Sequence, residues 1–140
     1  MKKLIIGILA LTGCTTVSEH NTLLLPAGKT MEFFHASEVN RSCVALGVPE
    51  ITVIVPPSHG KVDIIKTKLK PNGFKPGNSR YKCRNTLVDG VVAKYTANAG
   101  YKGRDFVRIR VKFHFDKGPN GEDYIARVTY DDFAESFHVQ

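Results

Sequence analysis

The chain has 140 residues and a formal net charge of +7, which allows one domain with a modest core. Hydrophobic residues at 42% and charged residues at 24% are ordinary for a globular chain and do not fit a disordered one. Twelve glycines, seven prolines and no tryptophan argue against long helices and for short strands joined by turns.

The positive charge favours anionic partners such as nucleic acid, acidic polysaccharide or lipid headgroups, without choosing among them. The three cysteines are Cys14, Cys43 and Cys83. An odd count gives one of them a job the other two do not share.

The N-terminus reads "MKKLIIGILALTGC". Lys2 and Lys3 form a positive start, and residues 4–11 form a short apolar run. That run is too short to span a bilayer as a helix, which takes about 20 residues. The layout is that of an export signal and lies outside the fold. Leu11-Thr12-Gly13-Cys14 resembles the lipobox of bacterial lipoproteins. The resemblance implies cleavage before Cys14, acylation of its sulfur and of the new N-terminus, and attachment to a membrane. Two or three acyl chains, at ~0.8 kcal/mol per buried CH₂, anchor a small domain stably. Thr15 stands where an Asp would imply retention at the inner membrane, so the resemblance points to the outer membrane in a Gram-negative cell. Removing the leader also removes two positive charges, which weakens the basic character of the remainder. Residues 15–22, "TTVSEHNT", are polar and without period, as in a tether. The expected organisation is a signal peptide at 1–13, a lipidated N-terminus and tether at 14–22, and one domain at 23–140.

Export implies an oxidising compartment, where Cys43 and Cys83 are expected to form a disulfide. The alternative is a metal pair with His59 as third ligand. Neither Cys-x-x-Cys nor His-x-x-x-His spacing supports it, and no metal or other cofactor is expected.

The domain reads as strands. Residues 23–25 and 31–36 are short candidates around a Pro-Ala-Gly-Lys turn. Residues 50–55, "EITVIV", are rich in β-branched side chains and end at Pro56-Pro57, which stops a ladder. Residues 61–69 then form an expected hairpin partner. Residues 70–80, "KPNGFKPGNSR", are expected to be an exposed loop. Residues 91–96 form another strand. In 106–115, "FVRIRVKFHF", Val107, Ile109, Val111, Phe113 and Phe115 alternate with Arg108, Arg110, Lys112 and His114. A period of two puts the apolar set on one face. "DKGPNG" is turn chemistry, and 122–130 returns as the second strand of a hairpin. Gly118 and Arg127 fall where a calcium loop of the EF-hand type needs oxygen ligands. The tail, "DDFAESFHVQ", has no clear period. About eight short strands at this spacing predict an all-β sandwich or barrel.

Residues 95–107, "YTANAGYKGRDFV", and 56–62, "PPSHGKV", resemble signatures of bacterial cadherin-like and immunoglobulin-like modules. The matching positions are Tyr95, Thr96, Gly100, Tyr101, Gly103 and Asp105. Ala97 replaces a frequent proline, and Phe106 shifts the aromatic register by one. The resemblance implies a single β-sandwich. In the residues themselves, Gly100 and Gly103 suit a tight loop that needs positive φ. Asp105 suits the role of acceptor for turn N–H groups.

No nucleophile, phosphate-loop or zinc-protease motif is present in the sequence, and catalysis is not expected. Lys66, Lys68, Lys70, Lys75, Arg80, Lys82 and Arg84, together with Arg108, Arg110 and Lys112, are the candidate basic surface. Its opposing reading is a solubilising exterior with lysines guarding sheet edges. Nucleic acid is not expected for an exported, lipid-tethered chain. The expectation is a non-catalytic binding or assembly module, as an accessory subunit of an envelope or secretion-type complex. The rival is a stand-alone adhesion-like or inhibitory lipoprotein that binds an anionic envelope or foreign ligand.

Overall fold

The computed structural model describes residues 21–116 and 125–140. The expected leader at 1–13, Cys14 and most of the turn expected at 116–121 lie outside the described residues. Among the described residues nine strands run in chain order: β1 (Leu23–Leu25), β2 (Thr30–Ala36), β3 (Glu38–Val39), β4 (Ala45–Gly47), β5 (Glu50–Val55), β6 (Gly60–Leu69), β7 (Val88–Ala97), β8 (Gly103–Asp116) and β9 (Ile125–Val139). A short 3₁₀ turn covers Tyr81–Asn85.

The strands form a four-stranded sheet, β1-β9-β8-β5, a three-stranded sheet, β2-β7-β6, and a small pair, β3-β4. The two larger sheets face each other as a β-sandwich. Val107, Ile109 and Val111 of β8 are almost fully buried, as their alternation requires. They meet Tyr95 and Ala97 of β7, Phe137 and Val139 of β9, and Leu25 of β1. Burying each larger apolar side chain contributes about 1.5–3 kcal/mol. Phe137 sits at the centre of an aromatic cluster. Tyr95 stacks on it at 4.1 Å, and Phe33 meets it edge-on at 5.5 Å.

β8 pairs with β9 antiparallel, as expected of that hairpin, but the pairing runs past 130 into the tail, with Lys112 opposite Tyr130 and Arg110 opposite Asp132. The tail is strand as far as Val139, because β1 runs parallel to it and pairs Leu23 with Phe137. Residues 50–55 and 61–69 are strands but not a hairpin. β5 pairs with β8 and β6 pairs with β7, so the segment between them crosses from one sheet to the other. Pro56 and Pro57 offer no N–H to a ladder, and the next two N–H groups, of Ser58 and His59, turn to the Asp105 carboxylate on β8.

Cys43 and Cys83 form the disulfide. Around it Cys83, Val39 and Val88 make a second, smaller core with Phe74 and Ala45 against it. Cys43 adopts φ 62°, a conformation that costs an ordinary residue about 1–2 kcal/mol. The Asn40 side chain holds that turn by accepting from the N–H groups of Ser42 and Val44.

Candidate functional site

Residues 56–62 and 95–107 come together as one unit, tied by Asp105 and Tyr95. Asp105, on β8, is buried. Its Oδ1 accepts from the N–H of Ser58 and of Phe106, each at 2.9 Å. Its Oδ2 accepts from the N–H of His59 at 3.1 Å and from the Tyr95 hydroxyl at 2.7 Å. One carboxylate therefore fastens the inter-sheet crossing to β7 and β8. Burial, followed by the hydrogen bond to Asp105, pushes the Tyr95 hydroxyl well above the usual phenol range.

Gly60 completes the unit. A Cβ there would lie 2.6 Å from the Thr96 carbonyl and 2.6 Å from the Tyr95 ring. Gly100 takes φ +77° and Gly103 φ +135°. Between them Tyr101 stacks on His59 with ring centroids 4.1 Å apart and donates its hydroxyl to the Arg104 carbonyl.

Ser58, His59, Asp105 and Ser136 line a cleft of about 380 Å³ beside this unit. Their types invite comparison with a Ser-His-Asp relay, in which the carboxylate orients the imidazole. The wiring here is different. Asp105 receives backbone N–H groups and a tyrosine hydroxyl, and the His59 ring lies flat on Tyr101. The arrangement closes a loop.

A second carboxylate does similar work at the far end of β8. Glu38 is buried, and its Oε1 accepts from the N–H groups of His114 and Phe115 at 2.8 and 3.1 Å, where the β8-β9 register shifts. The His114 ring bridges Glu38 Oε2 at 3.1 Å and Glu50 Oε2 at 3.2 Å. Hydrogen bonds from His114 and Lys112 hold the Glu50 carboxyl below its usual range. Sequence reading missed Glu38 because a lone acid in a polar stretch carries no mark of burial.

The ten cations read as a candidate basic surface belong to β6, the segment after it and β8. Arg80 is buried, with Nε donating to the Val39 carbonyl, so it leaves that surface. Its neighbours explain the change: most of 70–79 is exposed, as expected of that loop, but Phe74 and Cys83 on either side of Arg80 pack into the disulfide cluster. Arg84 lies over the Tyr81 ring at 4.1 Å, and Lys82 is exposed on the same turn. Lys66 and Lys68 are exposed on β6, and Lys70 and Lys75 on the loop after it. On β8, Arg110 makes a two-pronged bond to Asp132 at 2.8 and 3.0 Å, which holds Asp132 below its usual range. Lys112 pairs with Glu50 at 3.4 Å, and Arg108 stays exposed. The alternating row on β8 is thus largely neutralised by acids on β5 and β9.

Among the described residues, no group of three or more His, Cys, Asp or Glu side chains is placed to hold a metal ion. The disulfide removes Cys43 and Cys83 from the metal alternative. Comparison of the chain with protein-family models, curated proteins and solved structures gives no match.

Proposed function

We propose that this chain is an exported bacterial lipoprotein, anchored through Cys14 in the outer membrane, whose β-sandwich serves as a non-catalytic binding or assembly module. The observation that carries the reading is the Cys43–Cys83 disulfide. It pairs two of the three cysteines and leaves Cys14, at the end of an export-like leader, with no further cysteine in the chain to pair with. A lipid anchor gives that thiol a use.

The domain supports an assembly role through its form. The two buried carboxylates of the fold, Asp105 and Glu38, are spent on backbone N–H groups and on one side chain each, Tyr95 and His114. What the sandwich presents outward is strand edges and charged side chains, the features through which such folds take partner strands. We further propose an immunoglobulin-like or cadherin-like kinship, on the strength of the unit that Tyr95, Gly60 and Asp105 build, and a place as accessory subunit of an envelope complex.

Crosslinking in native membranes followed by purification tests the role. The reading expects a large detergent-resistant complex. Recovery of a lone monomer under crosslinking contradicts it. Cys14→Ser is expected to release the protein from the membrane fraction.

A further inference from the structure

Among the described residues β1, β2, β5 and β6 each end a sheet with a single neighbour, and two open edges, those of β6 and of β9 beyond β1, are opposite in chemistry. β6 ends the three-stranded sheet with only β7 beside it. Its ten residues carry Lys61, Lys66 and Lys68 against Asp63, with Ile64 and Ile65 exposed at the centre. β9 pairs with β8 on one side, and on the other β1 covers only residues 137–139. Among the described residues its remaining edge is unpaired. That stretch carries Asp131, Asp132 and Glu135, with Val128, Tyr130 and Phe133 exposed.

The ion pairs already made within the chain narrow the contact. Lys61 is taken by Asp63 and Lys68 by Asp89. Asp132 is taken by Arg110, and Arg127 by Asp116. Lys66 and Asp131 are exposed and make no ion pair among the described residues. One open edge thus keeps an uncommitted cation and the other an uncommitted anion.

We infer that the β9 edge of one copy takes the β6 edge of a second copy, with Lys66 meeting Asp131, so that the chain assembles head to tail. Backbone N–H and C=O groups of the two edges complete a ladder. The exposed isoleucines of β6 meet the apolar side chains of β9. A like contact gains no such pair, since a β6-β6 contact offers Lys66 only a second Lys66 and a β9-β9 contact offers Asp131 only a second Asp131. The two surfaces differ, so the contact is heterologous and adds copies in a row or closes a ring, unlike a two-fold dimer. This deepens the assembly reading above and rests on it for its setting, but its test reads the folded domain and not the lipid.

Full-length protein is prepared in unlabelled and heavy-nitrogen forms, mixed in phospholipid vesicles and treated with a water-soluble carbodiimide. The reagent condenses a carboxylate with a lysine amine, with loss of water, only when the two touch. The expected product is a Lys66–Asp131 crosslink joining one light and one heavy peptide. Lys66→Glu or Asp131→Lys removes one of the two reacting groups and so abolishes that crosslink. The double variant, which exchanges amine and carboxylate between the two edges, restores it. Both side chains are exposed, so each variant keeps its melting temperature, which is checked alongside. Absence of the mixed-isotope Lys66–Asp131 product, or a double variant that does not restore a crosslink between the same two positions, overturns the inference. Either result can occur while Cys14 is still found acylated, which separates this failure from failure of the lipoprotein reading.

Discussion

Asp105→Ala removes the acceptor on which the inter-sheet crossing depends, and its cost can be worked out from the structure. Three donors from other elements lose their partner: the N–H groups of Ser58 and His59 and the Tyr95 hydroxyl. A hydrogen bond to a charged group contributes about 1.5–3 kcal/mol net, and a buried donor left unsatisfied costs about 1–3 kcal/mol. Ser58 and His59 are exposed, so water replaces part of what their N–H groups lose. Tyr95 is fully buried and has no such recourse. The sum is about 3–5 kcal/mol, a large share of the ~5–15 kcal/mol that holds a domain together. Tyr95→Phe leaves the three backbone donors on the carboxylate and removes a single bond, for about 1–2 kcal/mol. Urea denaturation of the oxidised domain measures both. Amide hydrogen exchange separates them further, because Ser58 and His59 are expected to exchange faster in Asp105→Ala but not in Tyr95→Phe. An Asp105→Ala cost below about 1 kcal/mol, or equal costs for the two variants, would refute the idea that one carboxylate fastens the crossing.

Other expectations follow from the same contacts. Of the chain's five tyrosines, Tyr95 is expected to stay protonated as pH rises past the ordinary phenol value. Its folded value is raised, so its contribution is complete below the unfolded value of about 10 and is lost above it. Near-ultraviolet phenolate absorbance followed against pH should show one tyrosine ionising only as the domain unfolds. In acid the sign reverses: Glu50 and Asp132 are held below their usual range, so their contribution is present above the unfolded carboxylate values and fades as pH falls through the folded ones. A melting temperature unchanged between neutral pH and the low end of the carboxylate range would contradict this. Reducing the disulfide, which closes 40 residues, is expected to cost about 4 kcal/mol in the chain-entropy account. The loss should fall first on amides near Val39 and Val88, read by hydrogen exchange. Gly60→Ala forces a methyl group against the Thr96 carbonyl and the Tyr95 ring and is expected to cost about 1–3 kcal/mol, whereas Gly28→Ala, in open space but at φ +74°, should cost less in the same denaturation assay.

Much of the sandwich is legible in the sequence where side chains alternate. Residues 106–115 announce their buried face, and the partner strand follows from the turn between them. Pairing over longer distance is not legible in that way. β5 and β6 look like a hairpin because a Pro-Pro-Ser-His-Gly segment between two β-rich runs is also what a turn looks like. The decision lies with Asp105, nearly fifty residues downstream, whose carboxylate draws Ser58 and His59 away from β5. The tail was obscured by its acids, because Asp131 and Asp132 depress strand propensity locally while the Arg110 bond to Asp132 is invisible in a linear reading. Arg80 reads as surface by its type and by the loop it ends. Its burial depends on the disulfide pulling that loop onto Val39, a tertiary effect without a local signal. Strands β3 and β4, at two and three residues, are too short to carry any period.

The central claim is that the third cysteine carries the protein's attachment to a membrane, and intact-mass spectrometry of the mature protein from membranes tests it most directly. The account predicts a chain that begins at Cys14, bears acyl chains on that residue and retains the Cys43–Cys83 disulfide. A mature protein with an unmodified N-terminus, or one in which residues 1–13 are retained, would contradict it.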